Sequence, residues 1–168
     1  MIQSKKKEAK LHSIEEKNKT VIRKFIDAYN NRELNIFEEL VAPDYIDHTH
    51  QTKGREDFKY LFTLAFNGFP DWYENIEEII AEGDNVWVRV IATGTHTGEW
   101  NLFGTPLAPT GNKVKMEMVF IWRIENGKLV EGREVDDSLD FLKQLGIVEY
   151  TKKGKNLFPE LPIASDQN

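Results

Sequence analysis

The sequence contains no cysteine, and it has only three methionines and six prolines in 168 residues. Without cysteine the chain forms no disulfide bond and offers no thiolate for catalysis or metal binding. The same absence fits a reducing compartment, so we expect a cytoplasmic protein. No apolar run of about 18 residues is present, which predicts no membrane-spanning segment and no membrane partner. Glycine-rich phosphate-binding loops, the serine-hydrolase motif and the HExxH zinc motif are also missing, which leaves those enzyme classes without support.

Acidic residues outnumber basic ones, 28 to 22, and give a net charge of −6. This balance argues against a nucleic-acid-binding protein. The hydrophobic fraction of 40% and the charged fraction of 30% are typical of a soluble globular protein, and the length suits one domain. We predict a flexible basic tail over residues 1–12, one domain over 13–148, and an arm or disordered tail over 149–168.

Helical patterns dominate the first part of the chain. Ser13 and Glu16 have the spacing of a capping box, and apolar residues then recur at helical intervals as far as Tyr29. Two shorter apolar patterns follow, the first ended by a proline and the second preceded by a glycine. The helices predicted in this way cover residues 13–31, 36–41 and 54–68.

From Trp72 onward the apolar residues alternate, which is typical of half-buried strands. Asn126 and Gly127 separate two such runs, and this pair is the strongest short-range hairpin signal because both residues tolerate positive φ. Helices followed by hairpin-connected strands indicate an α+β fold, a cone-shaped curved antiparallel sheet with the N-terminal helices packed on its concave face. The predicted strands cover residues 72–81, 85–98, 113–124 and 128–136, and a last helix covers 138–145.

The last strand carries many charged residues and leads directly into the last helix. Its charged positions are Glu131, Arg133, Glu134, Asp136 and Asp137. Strand alternation places Glu131, Arg133 and Asp137 on one face. The carboxylates have three explanations: they are solvated, they cap the helix, or they face a pocket. Asp137 is in a position to act as the N-cap, which does not exclude a role in a pocket.

Two other stretches have residues suited to contacts with a ligand. His48 and His50 are two residues apart, which on a strand puts both imidazoles on one side. No third metal ligand is evident, and we predict no metal site. The loop over 98–112 includes Phe103 among several apolar residues, more than a solvated loop needs, and we expect it to fold over something.

Several short segments, taken together in their order and spacing, carry a family resemblance. They are AEGD at 81–84, ATGTHTGE at 92–99, PTG at 109–111, FIWRIENGKLVE at 120–131, and D-x-L-x-x-L-x-Q-L-G at 137–146. With these segments the chain resembles the SnoaL-like polyketide cyclase (ester cyclase) family over roughly residues 15–147. The resemblance implies the cone-shaped fold of the nuclear-transport-factor-2-like superfamily, a homodimer or tetramer formed through the sheet, and no metal or organic cofactor.

The characterised cyclases of this family close a ring by intramolecular aldol condensation of a polyketide ester. Such a reaction needs a carboxylate base, donors for the enolate and a dry pocket. The family's last strand usually has the pattern E-H-W-x-x-x-D; here Glu131 and Asp137 are kept, whereas Gly132 and Arg133 replace His and Trp. The resemblance makes Asp137 or Glu134 the acid/base. The positive charge of Arg133 would lower the pKa of Asp137 and weaken it as a base.

The resemblance also implies other site residues. His48 matches a histidine that often follows the second helix and is predicted to join the catalytic set, while Arg89 matches an arginine suited to orienting a carbonyl or anionic group. The remaining residues predicted to bind substrate are Trp87, Phe103, Glu117, Glu131 and Arg133.

We therefore predict cofactor-independent acid/base chemistry, an aldol-type cyclisation or an isomerisation, on a small hydrophobic polyketide-like carbonyl compound held in the pocket. A double-bond shift of the steroid-isomerase type needs the same groups, and the sequence does not separate it from cyclisation. The alternative is a non-catalytic ligand-binding or scaffold domain on the same fold. The sequence leaves open whether the protein is an enzyme.

Overall fold

A computed structural model of the chain describes residues 2–101 and 104–157, with side chains from residue 10 onward. The helices are α1 (Ile2–Asn30), α2 (Ile36–Leu40), α3 (Arg55–Gly68), α4 (Ser138–Gln144) and α5 (Lys152–Leu157). The strands are β1 (Val41–Asp47), β2 (Thr52–Lys53), β3 (Tyr73–Glu82), β4 (Asn85–Thr95), β5 (Lys113–Glu125) and β6 (Lys128–Asp136). Over these described residues, none of the helices has the length and apolar character needed to cross a membrane.

The strands form one sheet in the order β2-β1-β6-β5-β4-β3. Neighbouring strands are antiparallel except for β1 and β6, which are parallel. The hairpin predicted between β5 and β6 is confirmed, and its two turn residues, Asn126 and Gly127, have φ values of 51° and 76°. The parallel pairing adds β1 beside β6, which brings the segment that follows β1 close to the charged end of β6.

The concave face of the sheet packs against α1 and α3 and forms the core. On β4 every second residue points to this face, and Val86, Val88, Val90 and Ala92 are all 0% exposed. Phe25 of α1 lies at the centre of an aromatic cluster that joins both layers. Its ring contacts those of Phe37, Phe58, Phe62 and Trp122, with centroids 5.1–6.2 Å apart. The α+β architecture predicted from the sequence is confirmed.

A β-bulge in β3 changes which residues face the helices. The pairing with β4 shifts register between Ile76 and Glu78. Glu74 lies on the concave face before the bulge, whereas Ile79 lies there after it, and Ile80 is 57% exposed. An extra residue at a bulge reverses the alternation of a strand. The predicted uninterrupted alternation over 72–81 is therefore wrong beyond Ile76.

The first helix begins earlier than predicted, and the first strand contains a proline. Helix α1 begins at Ile2, so Ser13 lies inside a helix instead of capping one. The residues upstream of Ser13 include neither glycine nor proline, and nothing in them stops the helix earlier. Strand β1 begins directly after α2 and contains Pro43, and its pairing with β6 is interrupted between Val41 and Ile46. Proline has no N–H to donate, which accounts for the interruption.

Candidate active site

A cavity of about 170 Å³ lies between the concave face of the sheet and helices α3 and α4. Its walls are mainly aromatic and aliphatic, which makes electrostatic interactions inside it stronger than in bulk water. The apolar lining residues include Phe58, Leu61, Phe62, Phe69, Trp72, Trp100, Met116, Met118, Phe120, Trp122, Phe141 and Leu142. Burying a polar side chain in such a cavity without a hydrogen-bond partner costs free energy, so the polar groups that do line it are candidates for a functional role.

Ionisable side chains enter this cavity from three strands. Asp47 is the last residue of β1, and His50 lies in the turn after it. Glu134 and Asp136 point inward from β6. Glu74 points inward from β3, at the opposite edge of the sheet.

Asp47 and His50 form a hydrogen-bonded pair at the cavity wall. One carboxyl oxygen of Asp47 lies 3.0 Å from His50 Nδ1, and the other accepts the backbone N–H groups of Thr49 and His50 at 2.9 and 3.0 Å. Burial raises the pKa of Asp47, but the hydrogen bonds from His50 and Thr49 outweigh it and hold that pKa below its ordinary value. The bond to Asp47 raises the pKa of His50, which burial opposes. The pair therefore favours an ionised Asp47 and a protonated His50.

The Glu134 carboxyl group faces the cavity from β6. Its backbone is fixed by Thr49, whose hydroxyl accepts the Glu134 N–H at 2.7 Å. No described side chain donates a hydrogen bond to its carboxyl group, so the carboxyl is available to a ligand. Burial raises the pKa of Glu134 to about 7; the charge of Asp136 adds to this rise, and that of His50 opposes it. Glu134 is thus poised to exchange a proton near neutral pH.

Glu74 is the second carboxyl group of the cavity with a raised pKa. The residue is 6% exposed, and its Oε1 accepts a hydrogen bond from Trp72 Nε1 at 3.2 Å. Burial raises the pKa of Glu74 to about 8, and the charge of Glu134 contributes, while the bond from Trp72 opposes the rise. The Glu74 carboxyl group is therefore mainly neutral at pH 7.

The expectation that Glu131 and Arg133 face the pocket together with Asp137 is wrong. Gly132, Glu134 and Asp136 are the β6 residues on the concave face, and the side chains of the alternate positions point outward. Arg133 borders the cavity but is solvent-exposed. Both faces of β6 carry charges, so the sequence gives no apolar pattern to identify the inner face. The packing of Gly132 against the core decides the orientation.

The outer face also holds Trp87, Arg89 and Glu117, which were predicted to bind substrate. Trp87 is 50% exposed. Arg89 pairs with Glu117 at 3.0 Å and with Glu78 at 3.7 Å, on the side of the sheet away from the helices. Alternation explains their position, because Val86, Val88 and the other inward residues of β4 occupy the core side. None of these three residues lines the cavity.

His48 and His50 diverge instead of sharing one side. Strand β1 ends at Asp47, so strand alternation does not apply to the turn that contains both histidines. His48 Nε2 lies 2.7 Å from Glu131 Oε2 on the outer side, and only His50 lines the cavity. The hydrogen bond from His48, followed by that from Arg123, lowers the pKa of Glu131. His48 therefore lies outside the candidate site.

Asp137 acts as the N-cap of α4. Its Oδ1 accepts the backbone N–H of Asp140 at 3.0 Å, the standard contact of a capping aspartate. Asp137 is solvent-exposed and does not line the cavity. Of the two carboxyl groups predicted as the acid/base, the cavity contains Glu134.

Gly132 takes the place of the histidine usual in the family pattern. A side chain at this position would collide with the Tyr45 hydroxyl group, and its Cβ would lie 2.5 Å from Trp122 Cδ1. Both neighbours are buried and line the cavity. The Tyr45 hydroxyl and the Trp122 ring therefore fill the space that a larger residue at 132 would need.

The loop after β4 contributes Trp100 to the cavity wall. Trp100 and Leu107 form an isolated antiparallel bridge, with backbone N–H to O distances of 3.0 and 2.8 Å. The Trp100 ring packs against Phe69 and Phe141. Phe103, which was predicted to bind substrate, lies outside the described residues.

Comparison with known proteins assigns the chain to a family. The SnoaL-like polyketide cyclase family matches residues 19–145. The aklanonic acid methyl ester cyclase DauD of Streptomyces sp. (strain C5) is 30% identical over 149 residues, which covers 84% of this chain and 89% of that protein. The chain belongs to the SnoaL-like polyketide cyclase family.

A second sequence relative and a solved structure are also similar to this chain. The aklanonic acid methyl ester cyclase DnrD of Streptomyces peucetius is 29% identical over 133 residues, 75% of this chain and 88% of that protein. The crystal structure of IdmH from Streptomyces antibioticus superposes with a TM-score of 0.66 at 28% identity, covering 77% of this chain and 98% of that one. The family resemblance found in the sequence is thereby confirmed.

Sequence reasoning did not identify Asp47 or Glu74 as site residues, and of the two nearby histidines it placed His48 instead of His50 in the catalytic set. Asp47 and His50 come together through a turn whose geometry no alternation pattern describes. Glu74 had a weak signal, because it lies between Trp72 and Ile76 in the alternating pattern and shares their face. A charged residue on the apolar face of a strand is the pattern that could have revealed it.

Proposed function

We propose that this protein is a cyclase that closes a ring in a hydrophobic keto ester by intramolecular aldol condensation, with Glu134 as the base. One observation carries the proposal: the Glu134 carboxyl group has no hydrogen-bond donor among the described side chains, lies in an apolar cavity and has a pKa of about 7. A base with such a pKa is ionised in a useful fraction of molecules at neutral pH and still has a strong affinity for a proton.

In the proposed reaction Glu134 removes a proton from a carbon flanked by carbonyl groups. The resulting enolate carbon attacks a second carbonyl of the same molecule, and a carbon–carbon bond closes the ring. The substrate's own carbonyl groups acidify the proton, so the step requires no cofactor. The aromatic walls of the cavity hold the substrate folded, with its two reacting carbons close together. This reduces the entropic part of the activation barrier.

His50 supports this chemistry as a cation next to the base. Asp47 holds its imidazole through Nδ1, and the protonated ring opposes the rise in the pKa of Glu134. A cation beside Glu134 also stabilises the negative charge that moves from the carboxylate onto the enolate. Asp47 acts through His50, and we assign it a positioning role.

The cavity suits a flat, hydrophobic ligand. Aromatic side chains line it from α3, β5 and α4, for example Phe62, Phe120 and Phe141. DauD and DnrD are named for aklanonic acid methyl ester, and we propose this ester as the first substrate to test. Its ring closure provides a direct assay for the reaction.

The decisive experiment compares wild type with Glu134→Gln on aklanonic acid methyl ester. Gln keeps the size of the side chain but accepts no proton, so we expect kcat to fall about 10²- to 10⁴-fold. Glu125→Gln, at the exposed end of β5, is the matched control and should leave kcat within about twofold. Turnover by Glu134→Gln at the wild-type rate would overturn the assignment of the base. Tight binding without turnover by the wild type would favour the ligand-binding alternative.

We also propose that the protein forms a homodimer through the outer face of its sheet. Ile80, Trp87, Ile121 and Arg133 form a continuous row across this face, because each is the register partner of the next. Trp87 is 50% exposed and Val135, in the neighbouring row, is 62% exposed. Exposed apolar surface bordered by charges of both signs suits an interface that pairs with itself about a two-fold axis.

A further inference from the structure

We propose that Glu74 is the general acid of the cavity: its carboxyl group donates a proton to the carbonyl oxygen that the enolate attacks. The proposal rests on the proposed function for the identity of the reaction. It also makes a separate claim about binding, namely that the Glu74 side of the cavity donates a hydrogen bond to a ligand's carbonyl oxygen.

The fold fixes Glu74 at the cavity wall. Its backbone N–H donates to Asn30 Oδ1 at 2.9 Å, and its backbone oxygen accepts from Asn30 Nδ2 at 2.8 Å. On the concave face its register partner is Ala92, and the next strand presents Met116 in the same row. Glu74 and Met116 both line the cavity.

Among the described side chains, Trp72 Nε1 is the one hydrogen-bond donor to the Glu74 carboxyl group. Within residues 10–101 and 104–157 no cation pairs with it. The nearby Arg32 guanidinium is bound to backbone oxygens, including those of Pro70 at 2.6 Å and Trp72 at 2.8 Å. A carboxyl group that is buried without a cation favours its neutral form, in which one oxygen carries a proton and acts as a donor.

The charged and titratable groups around Glu74 support a neutral acid. Helix α1 presents Tyr29, whose pKa is raised mainly by burial, and Arg32, which is bound to backbone oxygens. Strand β6 presents Glu134, whose negative charge disfavours ionisation of Glu74. With a pKa of about 8 for Glu74 and about 7 for Glu134, Glu74 is mainly protonated and Glu134 mainly ionised between these values.

The two carboxyl groups approach a ligand from opposite sides. Glu74 lies on β3 and Glu134 on β6, and β4 and β5 separate these strands. Glu74 lies in the row of Met116 and Glu134 in the row of Phe120, four residues further along β5. Three strand spacings of about 4.8 Å and these four residues of about 3.3 Å place the two backbones about 20 Å apart along the sheet surface. The sheet curves around the cavity, so both side chains point into the same space. A ligand between them meets a base on one side and an acid on the other.

Glu134 and Glu74 together account for every proton that moves in the reaction. Glu134 takes the C–H proton, the enolate carbon forms the new carbon–carbon bond, and the π bond of the attacked carbonyl breaks. Its electron pair goes to oxygen, which takes the proton of Glu74 and becomes a hydroxyl group. The cycle ends with Glu134 protonated and Glu74 ionised, and a proton passed from Glu134 to Glu74 through water restores both. No external acid, base or redox partner is consumed.

A purely structural Glu74 would serve only as the acceptor for Trp72 Nε1, and a glutamine amide oxygen offers the same acceptor. Glu74→Gln therefore keeps the structural contact and a neutral donor, but it has no proton to transfer. This variant separates proton transfer from packing.

The first experiment measures binding and does not depend on turnover. The probe is 2-acetonaphthone, a flat ketone with one carbonyl oxygen, and its Kd is measured at pH 6.5 and pH 9.5. Two variants are compared, Glu134→Gln alone and Glu134→Gln combined with Glu74→Gln. Position 134 then carries no titratable group in either protein. With Glu74 present we expect binding about tenfold weaker at pH 9.5, the effect of losing one hydrogen bond to the ketone. With Glu74→Gln added, the pH dependence should disappear; equal pH dependence in both proteins would overturn the proposal.

The second experiment follows cyclisation of aklanonic acid methyl ester across pH. The rate of the wild type should fall above about pH 8, as Glu74 loses its proton. Glu74→Gln should lower kcat about 10²-fold or more with KM changed less than threefold, and it should abolish this alkaline limb. Trp72→Phe removes the bond that lowers the pKa of Glu74, so the limb should move to higher pH. A wild-type kcat and an unchanged alkaline limb in Glu74→Gln would refute the role.

The two experiments distinguish this proposal from the proposed function. If the ester is not cyclised but the binding of the ketone depends on Glu74 as expected, the proposed function fails and the donor site stands. If the ester is cyclised through Glu134 while Glu74→Gln behaves as the wild type in both experiments, the general-acid proposal alone fails.

Discussion

Replacing Glu74 by Gln should make the protein more stable, and increasingly so as pH rises. In the unfolded chain the carboxyl group titrates near the ordinary value of 4.5, whereas in the folded protein its pKa is about 8. Below pH 4.5 both states are protonated and the burial of Glu74 has no ionisation cost. Between pH 4.5 and 8 the unfolded state releases its proton first, so the folded state loses stability over this window. Gln does not ionise, and the variant avoids this loss.

The size of the effect follows from the two pKa values. Each pKa unit is worth about 1.4 kcal/mol, so the interval from 4.5 to about 8 sets an upper limit on the order of 5 kcal/mol. Relaxation and water penetration reduce such penalties in real proteins, and we expect about 2–4 kcal/mol. Urea unfolding of wild type and Glu74→Gln at pH 5 and pH 9 measures the difference.

The control is Glu77→Gln, which lies on the same strand but is exposed to solvent. Its free energy of unfolding should match that of the wild type within about 0.5 kcal/mol at both pH values. If the stability gain of Glu74→Gln is the same at pH 5 and pH 9, Glu74 is not buried as a neutral acid, and the account of its environment is wrong.

Three further perturbations test separate parts of the structure. Asp137→Ala removes the N-cap of α4 and should lower the free energy of unfolding by about 1 kcal/mol in urea titrations; no loss would contradict the capping role. His50→Gln removes the cation that holds down the pKa of Glu134, so the acidic limb of the rate profile, which starts near pH 7, should move to higher pH. The exposed His12→Gln is the control, and an acidic limb that does not move in His50→Gln would contradict the coupling. Trp87→Glu introduces a charge into the outer face and should convert the dimer to monomers in sedimentation velocity; an unchanged sedimentation coefficient would exclude this face as the interface.

The sequence predicted the hairpin around Asn126 and Gly127 because its signal is local. The turn needs residues that tolerate positive φ, and the strands on both sides alternate clearly. The alternation of β4 likewise separated Val86 and Val88 from Trp87 and Arg89, but it was the buried valines, and not the pair predicted to bind substrate, that face the core. These features depend on neighbours in the chain, and a sequence displays such neighbours directly.

The orientation of β6 and the location of the site depend on distant contacts instead. Glu131 and Glu134 are equally polar, and the packing of Gly132 beneath Tyr45 and Trp122 decides which of them faces the cavity. Parallel pairing of β1 with β6 then brings the turn that carries His50 beside Glu134. Neither event leaves a periodic pattern in the sequence, so a prediction based on alternation had no means of finding them.

The central claim, that Glu134 removes the acidic proton, is tested most directly by hydrogen exchange in a compound that cannot cyclise. Methyl 3-(2-naphthyl)-3-oxopropanoate has an acidic C–H between two carbonyl groups and no further carbonyl chain to attack. In D₂O at pD near 7 the wild type should accelerate deuterium uptake at this carbon about 100-fold or more over buffer, as mass spectrometry would show. Glu134→Gln should leave the rate near that of buffer. Equal acceleration by both proteins, or none by the wild type, would contradict the claim.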